Sequence, residues 1–269
     1  YMKGRTPNPC VLCNKSIKWG PLLEKAQNLG ADYLVTGHYA KIKKNTENGR
    51  YYIESPEDKQ KDQSYFLWAL SQSALSKTLF PLSDYNKPEI RKIASTLNLK
   101  SASTPDSQEI CFVPDNDYTK LLEIRIPEIN KNLEGGDVIY KGKVVGKHRG
   151  YPYYTIGQRK GLYIALGKPV YVSQIDARNN VIVIDDEEGL FSTDFFVNNV
   201  NLMYYEHFEG EKELLIKVRY KDSGTMGTIE LLNDNRIKAK LFSPKKSITP
   251  GQSAVFYEGD ILIGGGIIE

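Results

Sequence analysis

Apolar positions along the chain change their period near residue 135. Before it they recur every three or four residues, the spacing that gathers side chains on one face of a helix. Leu22, Leu23, Ala26 and Leu29 make such a set, closed by Gly30. This helix opens near Pro21, or else opens nearer Asn14 and is kinked by that proline. D-Y-L-V-T then reads as a short buried strand running into Gly37-His38-Tyr39. Ligands in open α/β sheets sit at such strand ends. Tyr65 to Leu70 read as a second helix. Pro88 opens a third, with Ile90, Ile93, Ala94 and Leu97 on one face, and Asp117 to Ile129 form a further helical stretch.

After Gly135-Gly136 the period drops to two. V-I-Y-K-G-K-V-V predicts a hairpin about Lys141-Gly142, and P-V-Y-V-S-Q-I-D with V-I-V-I flank a turn at Arg178-Asn179-Asn180. From Phe195 onward five short strands follow at close spacing, which predicts a small closed barrel without exposed sheet edges. The expected architecture is an α/β domain over 1–116, a small mixed domain over 117–194 and a C-terminal β-barrel over 195–269.

At 269 residues the chain exceeds one ordinary core. No apolar run reaches the ~18 residues of a membrane span, and no secretory leader opens the chain, so a cytoplasmic protein with no membrane partner is expected. The dense opening Y-M-K-G-R-T-P-N-P-C is unlike a loose natural terminus, and a preceding segment is expected. A net charge of +3 neither demands nor forbids a nucleic-acid partner, so any basic face has to be argued locally.

The candidate chemistry lies in three cysteines, Cys10, Cys13 and Cys111. Cys10 and Cys13 stand at C-x-x-C spacing, after a proline-rich turn and before a predicted helix. The positive end of a helix, with Lys15 and Lys18 nearby, is expected to lower a thiol pKa there. Spacing alone leaves three chemistries open. If the fold brings Cys111 to Cys13, one thiol can carry a persulfide and the other resolve it by thiol–disulfide exchange. The thiols can bind zinc, with His38 as a fourth ligand. Or Cys10, Cys13 and Cys111 can hold an iron–sulfur cluster with one iron open. The block His148–Leu162 mixes Arg, Lys, Tyr and Gly, a composition equally suited to RNA contacts or to a tightly packed loop.

Five blocks now stand in order: G-R-T-P-N-P-C-V-L-C-N-K, L-G-A-D-Y-L-V-T-G-H-Y, K-D-Q-S-Y-F-L, S-Q-E-I-C-F-V and Y-T-I-G-Q-R-K-G-L. With K-V-R-Y and T-P-G-Q-S-A-V-F-Y further on, they closely resemble the tRNA-specific 2-thiouridylase family across essentially the whole chain. The resemblance implies that residues 1–116 are the remainder of an ATP-pyrophosphatase-type domain of the adenine-nucleotide α-hydrolase-like fold. It implies ATP-dependent adenylation of a wobble uridine at carbon 2, then sulfur transfer from a persulfide. It also implies tRNA as partner, together with a sulfur-donor protein that carries persulfide.

Position by position, the resemblance makes Cys13 the nucleophile and Cys111 the persulfide carrier, so the two should come within disulfide reach, directly or by movement of the loop S-A-S-T-P-D-S-Q-E. Gly37 matches an ATP-contacting backbone position and His38 a tRNA contact. Asn8, Pro9 and Cys10 match the stretch that meets the target base. Lys61, Asp62, Gln63, Arg219, Tyr220 and Gln252 match further tRNA contacts. Two departures stand out. The family's glycine-rich loop S-G-G-x-D-S does not occur; it is expected before Tyr1, and this chain alone is then expected to be inactive. Position 10 is Asp in some members and Cys here, which keeps the cluster reading open. The competing readings are structural: Gly37 as a turn glycine, His38 as a core hydrogen-bonder, Asp62 as a cap, and Arg219-Tyr220 on a solvated strand.

Overall fold

A computed structural model describes residues 1–104, 110–113, 115 and 117–269 of the chain. A helix opens directly after the proline-rich turn: α1 spans Pro9–Cys13, and Asn8 caps it by accepting the Val11 N–H at 3.5 Å. A π-helical stretch Asn14–Leu22 and α2, Leu23–Asn28, continue the run. Pro21 lacks an N–H to donate, and the backbone breaks just before it, at Trp19 and Gly20, where φ and ψ leave the helical region. The helix therefore begins well before Pro21, and Cys10 and Cys13 lie inside it rather than ahead of it.

The expected buried strand shrinks to β1, Leu34–Val35, paired in parallel with β4, Thr78–Leu79. Val35 is 56% exposed, so this strand is not a buried core element. Between them lies a hairpin that the hydrophobic pattern did not suggest, β2 Lys41–Lys44 and β3 Tyr51–Glu54. Tyr65–Leu70 is not a helix: Ser64–Phe66 makes one 3-10 turn, and Tyr65, Leu67, Trp68, Ala69 and Leu70 are all buried. An apolar run this continuous has no wet face, so helical periodicity carries little information there. A four-residue helix, α3 Gln72–Leu75, follows. The helix at Pro88 forms as expected: α4, Lys87–Thr96, starts with a capping box between Asn86 and Glu89. Asp117 caps α5, Tyr118–Arg125, and α6 covers Ile129–Leu133.

The middle unit is a four-stranded sheet ordered β6-β5-β8-β7. β5 Gly136–Tyr140 and β6 Lys143–His148 form the expected hairpin, with Lys141 and Gly142 both at positive φ as a two-residue turn requires. β7 Tyr171–Asp176 and β8 Val181–Asp185 flank the Asn180 turn.

The barrel has six strands, not five. β9 Phe191–Leu202 precedes β10 Glu211–Lys217, β11 Thr225–Leu231, β12 Ile237–Lys246, β13 Ser253–Glu258 and β14 Ile261–Ile268. The order β13-β10-β11-β12-β9-β14, with β13 also paired to β14, closes the ring. β3 then pairs with β14 through Leu262↔Ile53, so the first domain's hairpin extends a barrel strand. The barrel wall also enters the first domain's core: Met203, Val255, Tyr257 and Leu262 pack with Val11, Trp19, Tyr65, Leu67 and Trp68.

Candidate active site

The barrel holds the segment that leads into α1. Thr6 N–H donates to the Pro250 carbonyl at 2.9 Å, and Gln252 Nε2 donates to the Thr6 carbonyl at 2.9 Å. Gly251, at φ +91°, lies under this segment; a Cβ there would meet the Thr6 carbonyl oxygen at 3.0 Å. β13 grips the following turn as well. Tyr65 Oη donates to the Ser253 carbonyl and Trp68 Nε1 to Ser253 Oγ, each at 2.9 Å. Asn8 also bonds the Tyr65 hydroxyl. Asn14 Nδ2 donates to the Phe66 carbonyl at 3.0 Å, tying the far end of α1 to the same turn. The middle unit contributes Tyr151, whose hydroxyl donates to the Met2 carbonyl at 2.8 Å, and Tyr118, which stacks on Tyr1 at 4.5 Å.

Cys10 and Cys13 share α1, and Cys111 acts on the Cys10 thiol from outside that helix. Cys10 and Cys13 are half-buried and Cys111 is exposed. Burial, then Cys111, then Cys13 push the Cys10 thiol up, with Lys18 pulling the other way. The expected lowering at a helix start is thus overturned for Cys10, because desolvation outweighs the cation. The loop expected to carry Cys111 toward Cys13 lies outside the described residues at positions 105–109. Among the described residues, no three His, Cys, Asp or Glu side chains come together to hold a metal. The zinc and cluster readings of Cys10, Cys13, Cys111 and His38 therefore have no matching ligand set there.

His38 packs its ring against Trp19 and Phe80, at 5.5 and 5.8 Å between centroids, and Nδ1 lies 2.8 Å from Thr36 Oγ1. Burial and then Lys18 lower its pKa to about 4, so the ring is neutral at pH 7. Lys18 thus acts on both His38 and Cys10. Gly37, just after β1, is exposed; its φ is not left-handed, and a Cβ would stand 3.6 Å from Leu82. The fold itself does not require glycine there.

Asp62 accepts from Ser55 Oγ and from the Ser64 N–H, both at 2.9 Å, and so ties the start of the 3-10 turn to the residue after β3. Gln63 Oε1 accepts the Tyr39 N–H at 3.0 Å. Lys61 and Asp62 both act on the Tyr220 hydroxyl, whose pKa is raised by burial first and Asp62 second. Tyr220 lies on Phe66 at 4.3 Å. The strip Lys61–Gln63 and the Arg219-Tyr220 turn, far apart in sequence, are thus neighbours. Asp222 pins that turn by accepting from Val218 N–H and Gly224 N–H, at 3.1 and 3.0 Å, and by pairing with Lys245. Arg219 is exposed, and with Gln252, Thr6 and Thr155 it lines a cleft of about 200 Å³ where all three units meet. Thr155 belongs to the block Y-T-I-G-Q-R-K-G-L, but no pattern in the sequence announced Ser247, another residue of this cleft, because its proximity depends on the packing of separate units.

In the tyrosine-rich block, Tyr151, Tyr153 and Tyr154 are buried and Arg149 lies over the Tyr153 ring at 4.6 Å, so these rings are not free to stack on bases. Arg159 and Lys160 remain exposed.

Comparison with known proteins accounts for these blocks. Family models match in order: the tRNA methyl transferase HUP domain over residues 1–115, the tRNA methyl transferase PRC-barrel domain over 128–186 and the aminomethyltransferase beta-barrel domain over 192–268. A tRNA-specific 2-thiouridylase MnmA of Cytophaga hutchinsonii is 47% identical over the whole of this chain and 73% of its own length. Proteins of the same name from Salinibacter ruber and Clostridium acetobutylicum are 45% and 46% identical, again over the whole chain, across 70% and 75% of theirs. The chain belongs to the tRNA-specific 2-thiouridylase family. The family's three-part architecture of HUP domain, PRC-barrel and closed β-barrel is the one seen here. Among the described residues no helix is long and apolar enough to cross a membrane.

Proposed function

We propose that this chain carries out tRNA 2-thiolation: sulfur is placed on carbon 2 of the wobble uridine, with ATP as co-substrate. The observation that carries the reading is the pair of half-buried thiols on α1, with Cys111 close enough to act on the Cys10 thiol, in a chain of this family. ATP supplies the activation that turns the uridine oxygen into a leaving group; Gly37 is the residue placed to let its backbone approach the nucleotide.

Cys111, exposed, receives sulfur as a persulfide from a donor protein. Its terminal sulfur attacks carbon 2 and leaves the base joined to Cys111 through an S–S bond. Cys13 then attacks Cys111 Sγ, releasing the thiolated base and forming a Cys13–Cys111 disulfide. Asn8, Pro9 and Cys10 border the base, and His38 meets the tRNA as a neutral ring rather than a cation. Arg219, Tyr220, Gln252, Lys61, Asp62 and Gln63 form the tRNA-binding face. The barrel holds the approach to the cysteine helix through the Gln252–Thr6 bond.

The test is thiolation of transcribed tRNA by the intact enzyme with ATP and a persulfide source. The reading requires 2-thiouridine to appear and to vanish with Cys111→Ser. Unmodified RNA from an enzyme that binds tRNA and ATP would overturn it and favour a binding module.

A further inference from the structure

The two-thiol reaction gives the Cys10 thiol no chemical step, and it ends on a disulfide that must be opened before another round. α1 places Cys10 and Cys13 at i and i+3 of one helix, and the Asn14 N–H closes that turn on the Cys10 carbonyl. Helical residues at this spacing have Cβ atoms about 5–6 Å apart, and a disulfide needs Cα atoms within about 7 Å. Both thiols are half-buried and neither is in a disulfide; Val11 between them turns into the core while Leu12 is exposed. Among the described residues there is no metal-ligand set for a third thiol to complete.

We propose that Cys10 is the resolving thiol of this site: it attacks Cys13 in the spent Cys13–Cys111 disulfide and moves the oxidised bond onto the C-x-x-C turn of α1. The inference rests on the thiolation reading. One S–S bond forms as one breaks, so the exchange involves no net oxidation. The Cys10 thiolate bonds to Cys13 Sγ, Cys111 leaves with the electron pair, and the proton lost by Cys10 is regained by Cys111. Cys111 is then free to take the next sulfur. An external dithiol afterwards reduces the Cys10–Cys13 bond by two electrons. The environment of Cys10 is consistent with this role, since burial raises its pKa and a high-pKa thiol is the poorer leaving group. Once in a disulfide, Cys10 tends to stay there.

The experiment uses the intact enzyme with tRNA, ATP and glutathione persulfide, without added dithiol. After one round it is acid-quenched, alkylated and mapped for disulfides by mass spectrometry. The expected result is Cys10–Cys13 at least tenfold over Cys13–Cys111, with Cys111 alkylated; Cys10→Ser should show Cys13–Cys111 instead. Wild type that keeps Cys13–Cys111 with Cys10 alkylated overturns the proposal. A second arm needs no RNA chemistry: diamide oxidation of Cys111→Ser should still give an intramolecular Cys10–Cys13 bond, and its absence overturns the proposal as well. Failure to form 2-thiouridine would count against the thiolation reading, while the diamide arm still decides the pairing.

Discussion

Gln252 reaches from the barrel to the Thr6 carbonyl at 2.9 Å, four residues before Cys10. A residue matched to a tRNA contact therefore also holds the approach to the cysteine helix. Gln252→Ala removes that bond and leaves a partly buried carbonyl unpaired, a loss of about 1 kcal/mol. The melting temperature should fall by roughly 2–4 °C, and thiolation should slow. An unchanged melt with weaker tRNA binding would assign Gln252 to RNA contact alone.

Arg219 is exposed at the three-unit cleft, on a turn pinned by the nearly buried Asp222. If its guanidinium meets a phosphate, Arg219→Ala should weaken tRNA binding and reduce the slope of log affinity against log salt by about one. Filter binding between 50 and 200 mM salt, about the range over which such slopes are read, provides the check. An unchanged slope would make Arg219 a surface charge.

Gly37 is a glycine without a steric reason. Gly37→Ala should leave the fold intact, and restricting the unfolded chain should even favour it by about 0.4–1 kcal/mol. The ATP concentration needed for half-maximal thiolation should rise if the backbone must approach the nucleotide. Unaltered ATP dependence would make Gly37 a turn residue only.

His38 carries a pH signature. Its pKa is lowered to about 4 in the folded chain, against an ordinary value of 6.5. The unfolded chain binds the proton first as pH falls. The ring's contribution is therefore fully present above pH 6.5 and is lost progressively toward pH 4, at most about 3 kcal/mol in all. The stability gap between wild type and His38→Gln, from urea unfolding, should shrink between pH 7 and pH 5. A constant gap would show that the ring is not held neutral by burial. His148, also lowered by burial, changes in the same direction in both proteins and cancels in the difference.

The barrel and the middle hairpins were legible because alternation and turn residues are local: Lys141-Gly142 and Asn180 mark their turns unaided. β9 is the strand absent from the expected five, because Phe191 and Phe196 are exposed apolar residues and break the alternation along it. The stretch Tyr65–Leu70 misled for the opposite reason, being buried on every side against Val255 and Tyr257. Within the site, the motif order located the residues. Their neighbourhood, with Lys61–Gln63 beside Tyr220 and Thr6 beneath Gln252, depends on packing between units and leaves no periodic trace. The raised Cys10 thiol leaves no trace in the sequence, because desolvation depends on what packs around the helix.

The central claim is that Cys111 carries sulfur to the base and Cys13 releases it. The most direct measurement uses intact Cys13→Ser enzyme with tRNA, ATP and a persulfide source, followed by denaturing electrophoresis without reductant. The account predicts tRNA covalently trapped on Cys111, freed as thiolated RNA by dithiothreitol and absent when Cys111 is also replaced. Full multiple turnover by Cys13→Ser, with no trapped RNA, would contradict it.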